Sequence, residues 1–271
     1  MAIIMKAQPV INKLFKNWKP YYGLTIFTNS KDEGSKIYVQ NKEKFCAKHN
    51  VKCNVIEYPS NESTFIRERV KALCNGKVMC QKPYPSVDYS IDDFVKEMDA
   101  VDDADKFSIE SKNIFNNDLS INNAPATPAG VMRLLDYYIG LDKLSGMNAV
   151  VIGRSEIAGR PIAKLLDRYN CTVTLCHSYT KNLAEYTKNA DLIVSAVGQP
   201  NLVTADMVKE NSIIVDVGFK RGTDGKIHGD CDYDNLVNKV YAITPVPGGV
   251  GPMTVASLIY GLGGESNGTE E

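Results

Sequence analysis

Two residues with reactive side chains, Tyr38 and Lys42, lie four positions apart in a segment whose pattern predicts a helix. Residues at this spacing share one helix face, so the phenol and the amine would lie side by side. A lysine on a helix is most often a solvated surface charge. A lysine at the border of a cleft is partly desolvated, which lowers its pKa and lets it act as a base.

Further polar groups follow the predicted strand Lys77–Cys80. Gln81 comes directly after it, where a sheet presents ligand-binding side chains, and could hydrogen-bond a substrate or orient a water molecule. Asp102, Asp103 and Asp105 form an acidic cluster farther along the chain. The cluster lacks the pattern of a calcium loop, which favours a solvated turn over a metal site. One of its carboxylates could still pair with a cationic ring system.

A second group of residues forms the glycine-containing turn Gly153–Pro161, between the predicted strand Asn148–Ile152 and a helix. Such a turn directs backbone N–H groups and the helix dipole towards one point, which suits a phosphate or pyrophosphate. Arg154 could supply a bidentate cation and Ser155 a hydroxyl donor. The string is not the full dinucleotide-binding motif, so a connection without a ligand remains an alternative.

The end of the next predicted strand, Thr172–Cys176, bears on the choice of nucleotide. Enzymes selective for NAD usually place Asp or Glu there to hold the ribose hydroxyls. This chain has no acid at that place, whereas His177, Ser178 and Lys181 could bind a phosphate. The pattern favours NADP as the cofactor, with NAD as the alternative.

Short apolar runs alternate with helical patterns along most of the chain. Runs that do not alternate within themselves indicate a sheet covered on both faces. The predicted fold is therefore α/β, with a Rossmann-like doubly wound parallel sheet domain, an N-terminal α/β domain and a cleft between them.

The segment Phe107–Ala126 is rich in Asn, Ser and Asp and predicts a loop between the domains. In the N-terminal half the pattern predicts strands at Gly23–Phe27, Lys52–Tyr58 and Lys77–Cys80, and helices from Ser35 as N-cap to about His49, at Thr64–Leu73 and from Ile91 to about Met98.

Composition disfavours several classes of function. The chain has 271 residues and a formal net charge of −1, so no overall basic field would attract nucleic acid. It contains no apolar run of about 18 residues and no signal-peptide core, so we expect no membrane span. The seven cysteines are odd in number and lack the C-x-x-C spacing. They predict reduced thiols in a cytoplasmic protein.

Two strings carry a resemblance to a known family. Thr244–Thr254 (TPVPGGVGPMT) resembles the C-terminal signature of the bifunctional methylenetetrahydrofolate dehydrogenase/cyclohydrolases, and Ala124–Gly130 (APATPAG) their linking-helix segment. Gly153–Pro161 is similar to their nucleotide loop, and Asp216–Gly218 and Gly229–Asp232 also match their pattern.

The resemblance implies oxidation of methylenetetrahydrofolate with a nicotinamide cofactor, followed by hydrolysis of the methenyl product to formyltetrahydrofolate. Lys42 would then act in the proton transfers, tuned by Gln81 and Tyr38, and Asp105 would hold the pterin. Tyr38 would also line the folate site. No metal is implied. The remaining implied contacts are Pro247, Gly248 and Gly249 with the folate, and Gly153, Arg154, Ser155, His177, Ser178 and Thr254 with the cofactor.

The resemblance also implies a homodimer and two domains. Residues 1–125 would form the catalytic and folate-binding domain, with a helix at 253–271 packing back on it, and residues 126–252 the nucleotide-binding domain. Lys82 and Lys106 depart from the family pattern, which has an apolar residue and Gly at these places. They leave open a dehydrogenase without cyclohydrolase activity. A non-catalytic folate- or nucleotide-binding protein and an oxidoreductase for another small molecule are further alternatives.

Overall fold

The structure is a computed structural model that describes residues 2–223 and 225–265. The chain forms two compact units. Met1–Lys13 and Leu119–Thr254 make up the six-stranded unit, and Leu14–Asp118 and Val255–Glu271 the three-stranded unit. The first thirteen residues thus join the second half of the chain. The assignment of functions to domains stays a prediction.

Strands and helices alternate along most of the described chain. The strands are β1 (Ile3–Ile4), β2 (Trp18–Pro20), β3 (Gly23–Thr28), β4 (Cys53–Glu57), β5 (Gly76–Cys80), β6 (Asn148–Ile152), β7 (Thr172–Cys176), β8 (Leu192–Ser195), β9 (Ile213–Asp216), β10 (Phe219–Arg221), β11 (Ile227–Gly229), β12 (Ala242–Ile243) and β13 (Gly263–Glu265). The helices are α1 (Ala7–Leu14), α2 (Glu33–Lys48), α3 (Glu62–Leu73), α4 (Ile91–Glu97), α5 (Ile109–Asn117), α6 (Ala126–Tyr138), α7 (Gly159–Arg168), α8 (Leu183–Thr187), α9 (Tyr233–Leu236) and α10 (Val250–Tyr260), with 3₁₀ turns at Leu141–Leu144 and Ala205–Met207.

The three-stranded unit contains a parallel sheet in the order β4-β3-β5. Its central strand β3 is a continuous buried run from Leu24 to Thr28, as expected for a sheet covered on both faces. Helix α2 follows β3 and begins after Asp32, whose carboxylate accepts the N–H of Ser35 at 2.7 Å. The prediction of Ser35 as the N-cap is therefore wrong: Asp32 is the cap, and Ser35 lies inside the helix.

Helix α5 lies inside the segment 107–126 that was predicted to be a loop. Ser108 caps it by accepting the N–H of Ser111 at 3.1 Å, and Ser111 and Phe115 are buried. The loop prediction is therefore wrong for Ile109–Asn117. The polar composition that suggested a loop belongs to the cap and to the exposed face of a short helix.

The six-stranded unit contains a parallel sheet in the order β1-β12-β9-β8-β6-β7. The chain leaves β6 for β7 on one side and then returns to β8 on the other, so the strand order reverses beside β6. Ligands bind doubly wound sheets at the carboxyl ends of the strands beside such a reversal. The predicted Rossmann-like parallel sheet is confirmed, and its edge strand β1 comes from the start of the chain.

The C-terminal helix α10 ends at Tyr260, which is earlier than predicted. Residues Gly263–Glu265 form β13, which pairs antiparallel with β2. A Cβ at Gly263 would lie 2.0 Å from the carbonyl oxygen of Lys19, so only glycine allows this close approach. The predicted helix at 253–271 is wrong for residues 261–265, and residues 266–271 lie outside the described residues. Nowhere in residues 2–223 and 225–265 does a helix have the length and apolarity needed to cross a membrane.

Candidate active site

Lys42 is a buried cation in the three-stranded unit. It lies on α2, is 8% exposed, and its Nζ donates to Gln81 Oε1 at 2.5 Å. Burial lowers the pKa of Lys42 below its usual value because the ammonium loses its water shell, and the charge of Asp105 partly opposes this shift. Its partner in the hydrogen bond is a neutral amide. Lys42 can therefore release and accept a proton more readily than a solvated lysine.

Gln81 is held in one orientation by its neighbours. Its N–H donates to Phe27 O at 2.8 Å, its carbonyl accepts the hydroxyl of Tyr58 at 3.3 Å, and its side-chain amide donates to Lys82 O at 2.9 Å. The amide nitrogen is thus occupied, and the amide oxygen is the group presented to Lys42. Lys42 and Gln81, which the resemblance implies act together, are in direct hydrogen-bond contact.

Asp105 reaches this region through backbone pairing with β5. Val78 donates to Asp102 O at 2.7 Å and Ala104 donates to Val78 O at 3.0 Å, so the chain runs parallel to β5. This pairing brings Asp105 level with the carboxyl end of the strand. Burial raises the pKa of Asp105 to about 6, with the positive charge of Lys42 opposing the shift.

Asp103 has a role that the sequence analysis missed. It is fully buried and accepts the N–H of Lys106 at 2.8 Å, the N–H of Ser108 at 2.8 Å and the hydroxyl of Ser111 at 2.9 Å. The prediction of a solvated turn is wrong for this residue, whose carboxylate fixes the backbone that follows Asp105. Two serines three positions apart after the acids are the signal that could have indicated a buried acceptor. Within residues 2–223 and 225–265, no group of three or more His, Cys, Asp or Glu side chains could hold a metal ion.

Three further residues of this unit bear on the predicted site, namely Tyr38, Lys82 and Lys106. Tyr38 is half-buried one helical turn before Lys42 on α2. Lys82 is exposed, and its Nζ lies 3.7 Å from a carboxylate oxygen of Asp92 and 5.0 Å from the centre of the Tyr84 ring. Lys106 has a left-handed backbone with φ of 62°, where a glycine costs less. The Lys42–Gln81 hydrogen bond is formed although Lys82 and Lys106 are present.

In the six-stranded unit, the turn after β6 depends on two glycines. Gly153 has φ of 104°, and a Cβ there would lie 2.4 Å from Ala196 O. A Cβ at Gly159 would lie 1.9 Å from Gly153 O. The backbone therefore closes on itself only without these side chains, as in a phosphate-binding turn at the start of a helix.

The cations around this turn fit a phosphate-bearing nucleotide. Arg154 lies with its guanidinium 5.7 Å from the centre of the Tyr179 ring. Among the described residues no carboxylate forms an ion pair with Arg154, whereas Arg160 is paired with Glu156 at 2.9 Å. Ser155 Oγ accepts the N–H of Gly159 only at 3.4 Å. A partly unsatisfied cation and hydroxyl on a glycine turn are suited to bind phosphate oxygens.

The segment after β7 contains no acid, and its polar groups are engaged in a tight turn. His177 donates its N–H to Thr180 Oγ1 at 2.8 Å, and its Nδ1 accepts the N–H of Tyr179 at 3.2 Å. Ser178 is exposed in the same turn. The N–H of Gly153 donates to Cys176 O at 2.9 Å, so the predicted cofactor residues at the ends of β6 and β7 lie next to each other.

The Gly/Pro loop before α10 is also constrained. Gly248 has φ of 109°, and a Cβ at Gly249 would lie 2.7 Å from Pro245 O. Thr254 Oγ1 lies 3.1 Å from both Thr127 Oγ1 and Val250 O, so its hydroxyl is used within its own unit. The contacts predicted for Pro247–Gly249 and Thr254 with ligands stay predictions.

The chain is similar in sequence to known proteins over most of its length. The family model described as tetrahydrofolate dehydrogenase/cyclohydrolase, NAD(P)-binding domain, matches residues 125–263. A bifunctional FolD protein from Wolinella succinogenes is 40% identical over 245 residues, which cover 88% of this chain and 83% of that protein. Another from Nitratiruptor sp. is 41% identical over 243 residues, which cover 88% and 84%. The chain belongs to the tetrahydrofolate dehydrogenase/cyclohydrolase family.

Solved structures of the tetrahydrofolate dehydrogenase/cyclohydrolase family have the same fold. The bifunctional FolD enzyme of Campylobacter jejuni is 32% identical and superposes with a TM-score of 0.84 over 97% of each chain. The Trypanosoma brucei enzyme, solved with NADP cofactor and an inhibitor, is 28% identical with a TM-score of 0.83 over 96% of each chain. The resemblance drawn from the two short strings is confirmed.

Proposed function

We propose that this protein oxidises methylenetetrahydrofolate with a nicotinamide cofactor and then hydrolyses the methenyl product to formyltetrahydrofolate. The observation that carries the proposal is the buried Lys42 hydrogen-bonded to Gln81, with the charge of Asp105 close enough to act on it. A module that only binds a ligand has no need of a desolvated lysine. Membership of a family whose relatives are bifunctional enzymes supports the same conclusion.

In the first step the protein binds and aligns the two reactants. A bound nicotinamide would supply the hydride acceptor for the methylene carbon. The Gly153 turn and Arg154 would hold the phosphates of the cofactor, with His177 and Ser178 beside them and Thr254 as a further contact. Tyr38 and Asp105 hold the folate, and the contact of Pro247–Gly249 with it stays a prediction. Alignment of this kind can lower the barrier by about 7–11 kcal/mol.

In the second step Lys42 moves protons. A water molecule adds to the cationic methenyl carbon and transfers one proton to Lys42 Nζ, which then protonates the departing ring nitrogen. As the bond from the carbon to this nitrogen breaks, the remaining hydroxyl proton leaves to solvent and the oxygen becomes the formyl carbonyl. The lowered pKa of Lys42 makes its neutral form accessible for the first transfer. Gln81, fixed by its own hydrogen bonds, orients the lysine. Asp105 accepts hydrogen bonds from the pterin.

We propose NADP rather than NAD as the cofactor. The support is the absence of an acid in the Cys176–Lys181 segment and the unneutralised Arg154 on the adjacent turn. A bound 2′-phosphate gains from a cation and loses from a neighbouring carboxylate. We further propose a homodimer, by analogy with the family, and a cytoplasmic location, which the seven free cysteines support.

A steady-state assay of the purified protein with methylenetetrahydrofolate and each nucleotide tests this function. We expect reduced nucleotide to form with both, and kcat/KM to be higher with NADP. We also expect methenyl absorbance to stay low because the second step removes the product. No nucleotide reduction with either cofactor contradicts the proposal.

A dehydrogenase without cyclohydrolase activity is the second candidate, favoured by the extra cations Lys82 and Lys106. In the same assay it would accumulate the methenyl compound to the level set by spontaneous hydrolysis. The intact Lys42–Gln81 hydrogen bond favours the bifunctional enzyme.

A further inference from the structure

The six-stranded unit contains a buried carboxylate that organises the loop after β8. Asp230 is fully buried. Its Oδ2 accepts the hydroxyl of Ser195 at 2.8 Å and the N–H of Val197 at 2.8 Å, and its Oδ1 accepts the N–H of Gln199 at 2.7 Å. Hydrogen bonds to a carboxylate are about twice as strong as those between neutral groups. Asp230 therefore fixes the backbone of Ser195–Gln199.

A second buried carboxylate holds the segment that carries Asp230. Asp216, the last residue of β9, accepts the N–H of Asp230 at 3.0 Å and the N–H of Cys231 at 2.9 Å. Its own N–H donates to Thr244 Oγ1 at 2.7 Å. The position of Asp230 is thus determined by β9 and by the segment after β12.

Two glycines make room for these carboxylates in a reciprocal way. A Cβ at Gly218, just after β9, would lie 2.1 Å from Asp230 Oδ2. A Cβ at Gly229, at the end of β11, would lie 2.1 Å from Asp216 Oδ2. We call Asp216, Gly218, Gly229 and Asp230 the aspartate latch. Neither glycine can be replaced without displacing the carboxylate that it faces.

The loop held by the latch lies against the nucleotide turn. Ala196 donates its N–H to Ile152 O at 2.8 Å, and a Cβ at Gly153 would lie 2.4 Å from Ala196 O and 3.6 Å from Val197 Cγ2. The turn after β6 and the loop after β8 are thus neighbours at the point where the strand order reverses. A dinucleotide bound there places its adenosine half towards β7 and its other half towards β8.

We propose that Asp230, held by Asp216, is a positioning residue for the nicotinamide half of the cofactor. The latch sets the Ser195–Gln199 loop as the wall that faces this half, directly beside the phosphate-binding turn at Gly153. This inference rests on the proposed function. It assigns to the latch an effect on the dehydrogenase step that does not extend to the proton transfers at Lys42.

The variant Asp230→Asn tests the inference, because asparagine keeps the shape but replaces one acceptor oxygen with a donor. We expect the KM for the nucleotide to rise about tenfold and kcat of the dehydrogenase step to fall about tenfold. Hydrolysis of methenyltetrahydrofolate supplied directly should stay within about twofold of the wild type. Asp234→Asn, an exposed carboxylate on α9, is the matched control and should change neither activity.

Hydrogen exchange provides a readout that does not need turnover. The amides of Val197 and Gln199 donate to Asp230, so they should exchange faster in Asp230→Asn than in the wild type. If Asp230→Asn does not fold, Ser195→Ala removes a single donor and should raise the nucleotide KM in the same direction by a smaller factor.

The outcomes separate the two proposals. A folded Asp230→Asn protein with unchanged nucleotide KM and unchanged exchange overturns the positioning role. Equal losses in both activities also overturn it, because they indicate a role in the fold alone. Wild-type protein without dehydrogenase activity overturns the proposed function instead. The positioning role of Asp230 is then tested by hydrogen exchange and by direct titration with NADP.

Discussion

The two units of this protein bury charged groups in different ways. In the three-stranded unit, Lys42 donates to the neutral amide of Gln81, and both Lys42 and Asp105 have pKa values shifted towards neutrality by desolvation. In the six-stranded unit, Asp230 accepts three hydrogen bonds, two of them from backbone N–H groups. Burial also raises the pKa of Asp216, to about 7, but two backbone N–H donors oppose the shift.

This difference between the two units indicates what each buried charge does. Where compensation is incomplete, the proton on the group is easily exchanged, which is what acid–base chemistry requires. Asp230, whose carboxylate is satisfied by two backbone N–H groups and a hydroxyl, instead holds a loop in place. The following variants test whether the reactive and the fixed charges are as separate as the geometry indicates.

The largest effect is expected for Lys42→Met. Without an amine at this position the proton transfers of the hydrolytic step lose their carrier, and cyclohydrolase activity should fall by about 10³-fold. Nucleotide binding, measured by titration, should remain. Lys44→Met removes an exposed lysine from the same helix and serves as the control. Full cyclohydrolase activity in Lys42→Met would show that the buried amine is not the proton carrier.

A second large effect is expected for Arg154→Ala. Loss of a charge-assisted hydrogen bond to phosphate should raise the KM for NADP by about 10- to 100-fold, with a much smaller change in the KM for the folate. Arg160→Ala removes the neighbouring arginine that is already paired with Glu156 and should leave both constants almost unchanged. Equal changes in the two constants would argue against a phosphate contact.

A smaller effect, on stability, is expected for Asp105→Asn. The folded-state pKa of about 6 lies above the ordinary value of 3.8, so stability due to this group is lost as the pH rises from about 4 to about 6. Asparagine does not ionise, and the variant should gain about 1–2 kcal/mol in the free energy of unfolding at pH 8. Urea unfolding at pH 4 and pH 8 measures the difference.

At pH 4 the Asp105→Asn variant should unfold like the wild type. The exposed carboxylate of Asp88 provides the control, since Asp88→Asn should change stability little at either pH. A gain of the same size at both pH values would mean that ionisation of Asp105 is not the cause.

The smallest effect is expected for Lys106→Gly. Glycine relieves the left-handed backbone at this position, so the free energy of unfolding should rise by about 0.5–1 kcal/mol. Lys106→Ala removes the charge but keeps the Cβ, and should give no such gain. If alanine stabilises as much as glycine, the effect comes from the cation and not from the backbone.

Local patterns in the sequence determined the parallel sheet, the nucleotide turn and the family. Apolar runs and glycine positions report backbone requirements that act within a few residues, so Gly153 and Gly159 could be recognised before their contacts were known. The two Gly/Pro-rich strings were specific enough to give the family without any three-dimensional information.

Tertiary structure alone decided which charged groups are buried. Lys42 and Lys44 lie two positions apart on one helix, and the face with Lys42 is the one buried, where Gln81 from the end of a distant strand contacts the amine. Asp103 and Asp105 belong to one acidic cluster, and the pairing of this segment with β5 made the first a backbone anchor and the second a titrating group. Desolvation depends on segments far apart in the chain, and no local pattern contains that information.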